Sequence, residues 1–164
     1  DAYAGIATFG ICVSDVAEKV TSVEENSSSI QKAKEVLKSN NIKNVELFAQ
    51  DTLRYLKSIK KKFDIIILDP PRKGCTQEVL DEVLRLLKSS HSKAESDEIL
   101  RSAQNDAIAE GASKGKIIYV SCNPATLARD LKYLTEHGAK VESIQPFDMF
   151  CHTYHIENVA IINL

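Results

Sequence analysis

The run Ile65-Ile66-Ile67-Leu68, closed by Asp69-Pro70-Pro71, limits what this chain can fold into more than any other segment. Four consecutive apolar residues have no polar face to turn to water, so a strand made of them needs cover on both sides. Helices on both faces of a mostly parallel sheet supply that cover, and the run is the expected central strand. The rest of the chain alternates two-residue and helical periods in the same sense. Strands are expected at 19–23, 45–48, 64–68, 116–120, 140–145 and 158–164, and helices at 8–17, 27–40, 52–60, 76–87 and 124–137. The last helix carries the clearest signals: Leu127, Ala128, Leu131 and Leu134 on one face, Asn123 as N-cap and Pro124 at the first helical position.

A chain of 164 residues, 43% hydrophobic, has side chains enough for one core, so a single domain over 1–164 is expected. Residues 88–115 shift to Ser, Ala and charge without a strong period and are read as an insertion, with a weak helix at 99–109. No apolar run approaches the roughly 20 residues of a membrane span, and no charged-then-apolar leader is expected. A cytoplasmic, monomeric chain with no membrane partner is the expectation. With 21 Lys plus Arg against 23 Asp plus Glu, the net charge is −2, so any nucleic-acid affinity must be local or come from another domain. Cys12, Cys75, Cys122 and Cys151 are scattered, which argues against both disulfides and a structural zinc site.

In open parallel sheets ligands bind beyond the carboxyl ends of the strands, so the residues just after each strand are the informative ones. Asp1 to Gly10 leads into a helix through small residues, Ala2, Ala4, Gly5 and Ala7, that let a nucleotide-like ligand approach the backbone. Glu24 either accepts hydrogen bonds from ribose hydroxyls or is a solvated carboxylate beginning the next helix. Asp51 either contacts an adenine edge or caps the helix at Thr52, with the cap preferred. Asp69-Pro70-Pro71-Arg72-Lys73-Gly74 carries a stronger signal, because two prolines hold the acid rigidly at the sheet edge. Ser121-Cys122-Asn123-Pro124 sets a thiol between a strand end and a helix N-terminus, where the helix dipole favours thiolate; the bland alternative is a buried, packed cysteine. Cys151, His152 and His155 invite a metal reading, but on an extended segment the two histidines point to opposite faces while His155 and Glu157 share one. No metal site is therefore expected, and Glu157 is a candidate base at the same rim.

Taken together, these segments resemble the class I S-adenosylmethionine-dependent RNA uracil-5 methyltransferases of tRNA and ribosomal RNA. Asp1 to Phe9 is similar to that family's D-[LF]-[YF]-C-G-x-G-[TN]-F loop, and Val23-Glu24-Glu25-Asn26 to its ribose-binding segment. Asp69 to Gly74 matches D-P-P-R-x-G, and Ser121 to Asp130 matches the nucleophile motif almost throughout. Asp148 to Glu157 resembles D-M-F-P-H-T-x-H-x-E, with Cys151 in place of proline. The resemblance implies a Rossmann-like class I methyltransferase fold and S-adenosylmethionine as cofactor. It makes Cys122 the nucleophile and Glu157 the general base, with Tyr3, Gly5, Thr8, Glu24, Asp51 and Asp69 against the cofactor. The implied partner is a single-stranded or flipped uridine in rRNA or tRNA.

Three departures qualify the match. Ala4 and Ala7 replace the motif's cysteine and second glycine, which sets an extra methyl at Ala7 against the cofactor, and Cys151 removes a rigid proline. The chain also starts where the family's first strand ends, so that strand is expected to be missing, leaving its two neighbours facing a gap. Two rival readings stand beside this one. An amino-methylating nucleic-acid methyltransferase also uses D-P-P, but wants an aromatic where this chain has Arg72; the other rival is a noncatalytic remnant of the fold.

Overall fold

The structure is a computed structural model of the chain and describes residues 1–87, 115–149, 152–153 and 156–164. The expected insertion at 88–115, but for its last residue, and the helix at 99–109 lie outside the described residues, as do Cys151 and His155. Along the described chain run α1 (Thr8–Cys12), β1 (Val20–Glu24), α2 (Ser27–Ser39), β2 (Val45–Ala49), α3 (Thr52–Ser58), β3 (Ile65–Leu68) and α4 (Gln77–Leu87). They are followed by β4 (Lys116–Ser121), α5 (Pro124–Glu136), β5 (Lys140–Phe147) and β6 (Glu157–Asn163).

β1 and β2 pair in parallel, as do β3 and β4, whereas β6 runs antiparallel between β4 and β5. The expected missing strand is not wholly absent. Ala2 bridges Val23 of β1 and Leu68 of β3, and its N–H donates to the Ile67 carbonyl at 2.9 Å. Val23 N–H in turn donates to the Asp1 carbonyl at 2.9 Å, and Ala4 N–H to the Val23 carbonyl at 3.0 Å. This short stub stitches the two parts of the sheet into the order β2-β1-β3-β4-β6-β5. Below the stub, β1 and β3 border a cleft of about 650 Å³ lined by Val16, Thr21, Ile65, Ile67 and Ile118, among others. Ile65, expected to be covered on both faces, is 52% exposed for that reason.

On one face of the sheet Ile66, Leu68, Ile117, Tyr119, Ala160 and Ile162 join buried residues of α3, α4 and α5 in the main core. α4 brings Val79, Leu80, Val83, Leu84, Leu86 and Leu87 to it, burial worth roughly 1.5–3 kcal/mol for each large side chain. α2 buries Ile30, Ala33 and Leu37 and starts on Asn26, whose side chain accepts from the N–H groups of Ser28 and Ser29.

Two expectations about helices need correction. α1 ends at Cys12 rather than at residue 17, because the chain passes into tight turns in which Ser14 N–H and hydroxyl both donate to the Ile11 carbonyl. The Asn44 side chain then takes the carbonyls of Ser14 and Ala17 at 2.8 and 2.9 Å. On α5, Ala128 is exposed, and Asp130 holds the buried face together with Leu127, Leu131 and Leu134. Among the described residues no helix is long and apolar enough to cross a membrane.

Candidate active site

Three strand ends and the first loop converge on one rim. The loop from Tyr3 to Ala7 turns through left-handed backbone at Tyr3 (φ 62), Gly5 (φ 55) and Ala7 (φ 62). For residues with a Cβ that conformation costs about 1–3 kcal/mol and persists only where the surroundings enforce it. Ala7 is fully buried against Ala4 and Ala33, so its methyl lies in the core and not against a ligand, which corrects the expectation of crowding. Around Gly5 the rim is open: nothing lies within 4 Å of where a Cβ would stand.

Glu24, at the end of β1, is oriented by the backbone on both oxygens: Oε2 accepts from Gly5 N–H at 2.9 Å and Oε1 from Asn26 N–H at 2.8 Å. Each oxygen keeps a further lone pair for a hydroxyl donor. Asp51 is the N-cap of α3, accepting from Arg54 N–H at 2.9 Å, as the cap reading had it. It is exposed, and so is Thr8 at the start of α1. Tyr3 is half-buried with its hydroxyl against the Cys75 thiol, and burial followed by that thiol pushes the phenol well above its usual range. Asp69 is also half-buried, and burial raises its carboxyl above the usual range.

Cys122 and Glu157 come from distant parts of the chain, and the β4–β6 ladder brings them to one end of the sheet. Ser121 pairs with Asn158 in the antiparallel register, and the Asn158 side chain donates to the Ser121 carbonyl at 3.3 Å. One step beyond on each strand stand Cys122 and Glu157. Parallel pairing of Leu68 with Tyr119 brings Asp69 to the same edge. Burial first, and then the neighbouring Asp69 carboxylate, hold Glu157 above the usual carboxylate range. Cys122 is partly exposed, ahead of the Asn123 cap of α5. Cys75 is the contrasting thiol: it is buried, and burial pushes it up to about 11, so it is neither reachable nor ionised near neutrality.

Sequence reasoning missed what ties the Asp69 loop to α5. Asp130 is 1% exposed and accepts from the Tyr119 hydroxyl at 2.6 Å and from Cys75 N–H at 2.8 Å. Its signal was available: an acid three residues after Leu127 and four before Leu134 sits within the apolar stripe of its helix.

The rim offers carboxylates at three successive strand ends, a partly exposed thiol and a base candidate beside it. Such a set can accept the hydroxyl and amine hydrogens of a cationic nucleoside while a nucleophile acts on a second molecule. Residues 1–136 match the family model described as Conserved hypothetical protein 95. An uncharacterized RNA methyltransferase of Thermotoga maritima is 38% identical over 162 residues, 99% of this chain and 31% of the relative. One of Clostridium tetani is 33% identical over 165 residues, 99% of this chain and 30% of the relative. Among solved structures, the Pyrococcus abyssi tRNA (uracil-54, C5)-methyltransferase in complex with S-adenosyl-L-homocysteine superposes with a TM-score of 0.71 at 30% identity, over 99% of this chain and 33% of that one. An rRNA methylase of Streptococcus thermophilus shares the fold at 10% identity, TM-score 0.66, over 98% of this chain and 81% of that one. The chain spans about a third of the length of the curated relatives it matches. The fold is the Rossmann-like one of class I methyltransferases.

Proposed function

The chain belongs to the family described as Conserved hypothetical protein 95, and we propose that it is the catalytic domain of an S-adenosylmethionine-dependent RNA methyltransferase acting on uridine C5. The observation that carries this reading is the Ser121–Asn158 register, one step beyond which stand a partly exposed thiol and a carboxylate that burial holds above its usual range. The donor set fits the cofactor. Glu24 would hold the ribose hydroxyls, Asp51 the adenine edge, and Tyr3, Gly5, Thr8 and Asp69 would line the remainder. Bound there, S-adenosylmethionine supplies the electrophilic methyl group that C5 accepts.

The chain's own residues do the rest. Uracil C5 is too weak a nucleophile to react unaided, so the Cys122 thiolate adds to C6, forming a carbon–sulfur bond and an enolate that makes C5 reactive. After C5 carries the methyl group, Glu157 takes the C5 proton, the enolate reforms, and the carbon–sulfur bond breaks to return the thiolate. The base must leave its stack to meet both groups, so the substrate is a flipped or single-stranded uridine.

RNA labelled with tritium at uridine C5 tests the reaction directly. Tritium should enter water in step with methyl transfer from S-adenosylmethionine. Methyl transfer without tritium release would mean that another atom is methylated, as an amino-methylating enzyme would do.

The pH dependence has a definite sign. Glu157 acts only when ionised, and its folded pKa lies above the ordinary 4.5, so product release should be lost as pH falls through that raised value. The acid limb should therefore sit above 4.5, and Asp69→Asn, by removing the second cause of the shift, should move its midpoint to lower pH. An unmoved midpoint would separate Asp69 from Glu157. For the cofactor, Glu24→Ala should weaken binding by about 1.5–3 kcal/mol through lost charge-assisted hydrogen bonds. Unchanged affinity in a calorimetric titration would remove Glu24 from the site.

A further inference from the structure

We propose that Arg129 and Asp130 are positioning residues: they clamp the loop that follows Asp69 onto α5 and so fix Asp69 relative to Cys122. The inference rests on the function proposed above and adds a role for two residues that touch neither cofactor nor substrate in it.

A carboxylate as buried as Asp130 is costly unless its lone pairs are filled. Here they are. Besides the bonds from Tyr119 and Cys75 to Oδ2, Oδ1 accepts from Arg129 Nε at 2.8 Å. Arg129 Nη2, 2.7 Å from the same oxygen, reaches across to the loop and donates to the carbonyls of Lys73 at 2.9 Å and Cys75 at 3.1 Å. At the start of α5, the Asn123 amide and the Thr126 hydroxyl both donate to the Arg72 carbonyl, at 3.2 and 3.1 Å. The carbonyls of residues 72, 73 and 75 and the N–H of Cys75 are thus held by side chains of one helix and its cap.

The intervening Gly74 shows how close the approach is. Its φ is +74°, and a Cβ there would lie 2.5 Å from Asp130 Oδ2 and 2.7 Å from Arg129 Nη2. Glycine is required on both counts. Stability alone does not call for this arrangement, since apolar residues often replace a buried ion pair without loss. A network of directed bonds gives what apolar packing cannot, a fixed register between two backbones. Both backbones carry proposed site groups: the loop descends from Asp69, and α5 follows Cys122.

Arg129→Ala, Arg129→Lys and Thr126→Val, made in the active protein, test the clamp. Arg129 is 56% exposed, so its variants are expected to fold, which a melting curve checks. Arg129→Ala should speed amide exchange of residues 72–76 by about tenfold, with smaller accelerations in the other two variants. The kcat for methyl transfer should fall by about 10- to 100-fold in Arg129→Ala, as expected of a displaced reacting group. S-adenosylmethionine affinity should fall by no more than a few-fold, because Asp69 is one of several groups proposed to line the cofactor, and Arg129→Lys should recover part of the rate. Unchanged exchange in the loop would overturn the proposal, as would faster exchange with kcat intact, or a loss of cofactor affinity as large as the loss of kcat. Should the parent protein transfer no methyl group, the function proposed above fails, and loop exchange alone then upholds or removes the clamp.

Discussion

Glu157→Gln is expected to leave methylated RNA attached to Cys122, as a species that survives denaturing electrophoresis, while Cys122→Ala forms no adduct and no product. In the proposed reaction the two groups act at opposite ends of one covalent cycle. Glutamine cannot take the C5 proton, but nothing it removes is needed for thiolate addition or for methylation of C5, so the chain of events stops after the methyl group has arrived. Alanine at residue 122 removes the step that activates C5, and the uncatalysed alternative is slow enough that turnover should drop by about 10⁴-fold or more. Cofactor binding should survive in both variants, because neither residue belongs to the Glu24 and Asp51 side of the rim. Cys151→Ala should be neutral for adduct formation, and Cys75→Ala should not prevent it, since burial and a pKa near 11 keep that thiol out of the chemistry. Free product from Glu157→Gln at the parent rate, or an adduct mapped by mass spectrometry to a cysteine other than Cys122, would show that the roles are misassigned.

The second large effect concerns stability within these 164 residues. Native-state hydrogen exchange should divide them between β1 and β3. Those strands are joined through the backbone of Asp1 to Ala4 and separated below it by the cleft that exposes Ile65. On the opposite face the two parts are tied by α3 and α4, where Arg85 Nη2 donates to the carbonyls of Leu56 and Ile59 at 2.8 and 3.1 Å. The Lys57–Glu78 pair nearby is exposed and adds little. Amides of β1, β2 and α2 should therefore exchange through an opening about 2 kcal/mol or more below the global unfolding free energy, while β3, β4 and β6 report the global value. Urea unfolding followed by two probes, one on each side, should give transitions that do not coincide. A single common free energy for all slow amides would mean that the short stub and the α3–α4 contact suffice to make the sheet one cooperative unit.

What could be read in advance was local. The central strand, the caps of α3 and α5 and the strand-end positions of Glu24, Asp51, Asp69 and Cys122 all follow from neighbours within a turn or a pleat, where period and capping chemistry operate. Element ends shifted by a residue or two, and α1 by more, because Ser14 and Asn44 satisfy the backbone in a way that propensity does not encode.

The sequence by itself determined the architecture and most of the rim, because the alternation of periods leaves few ways to bury the apolar faces, and the rim is where such a sheet ends its strands. Tertiary structure alone decided three things. The antiparallel return of β6 brings Glu157 to Cys122 and Asp69; the methyl of Ala7 turns inward through a left-handed backbone; and Asp130 gives up water for Tyr119, Cys75 and Arg129. Each depends on groups far apart in the chain. Which of them meet is settled by how whole layers pack and by which buried polar atoms must find partners, and no window of neighbouring residues contains that information.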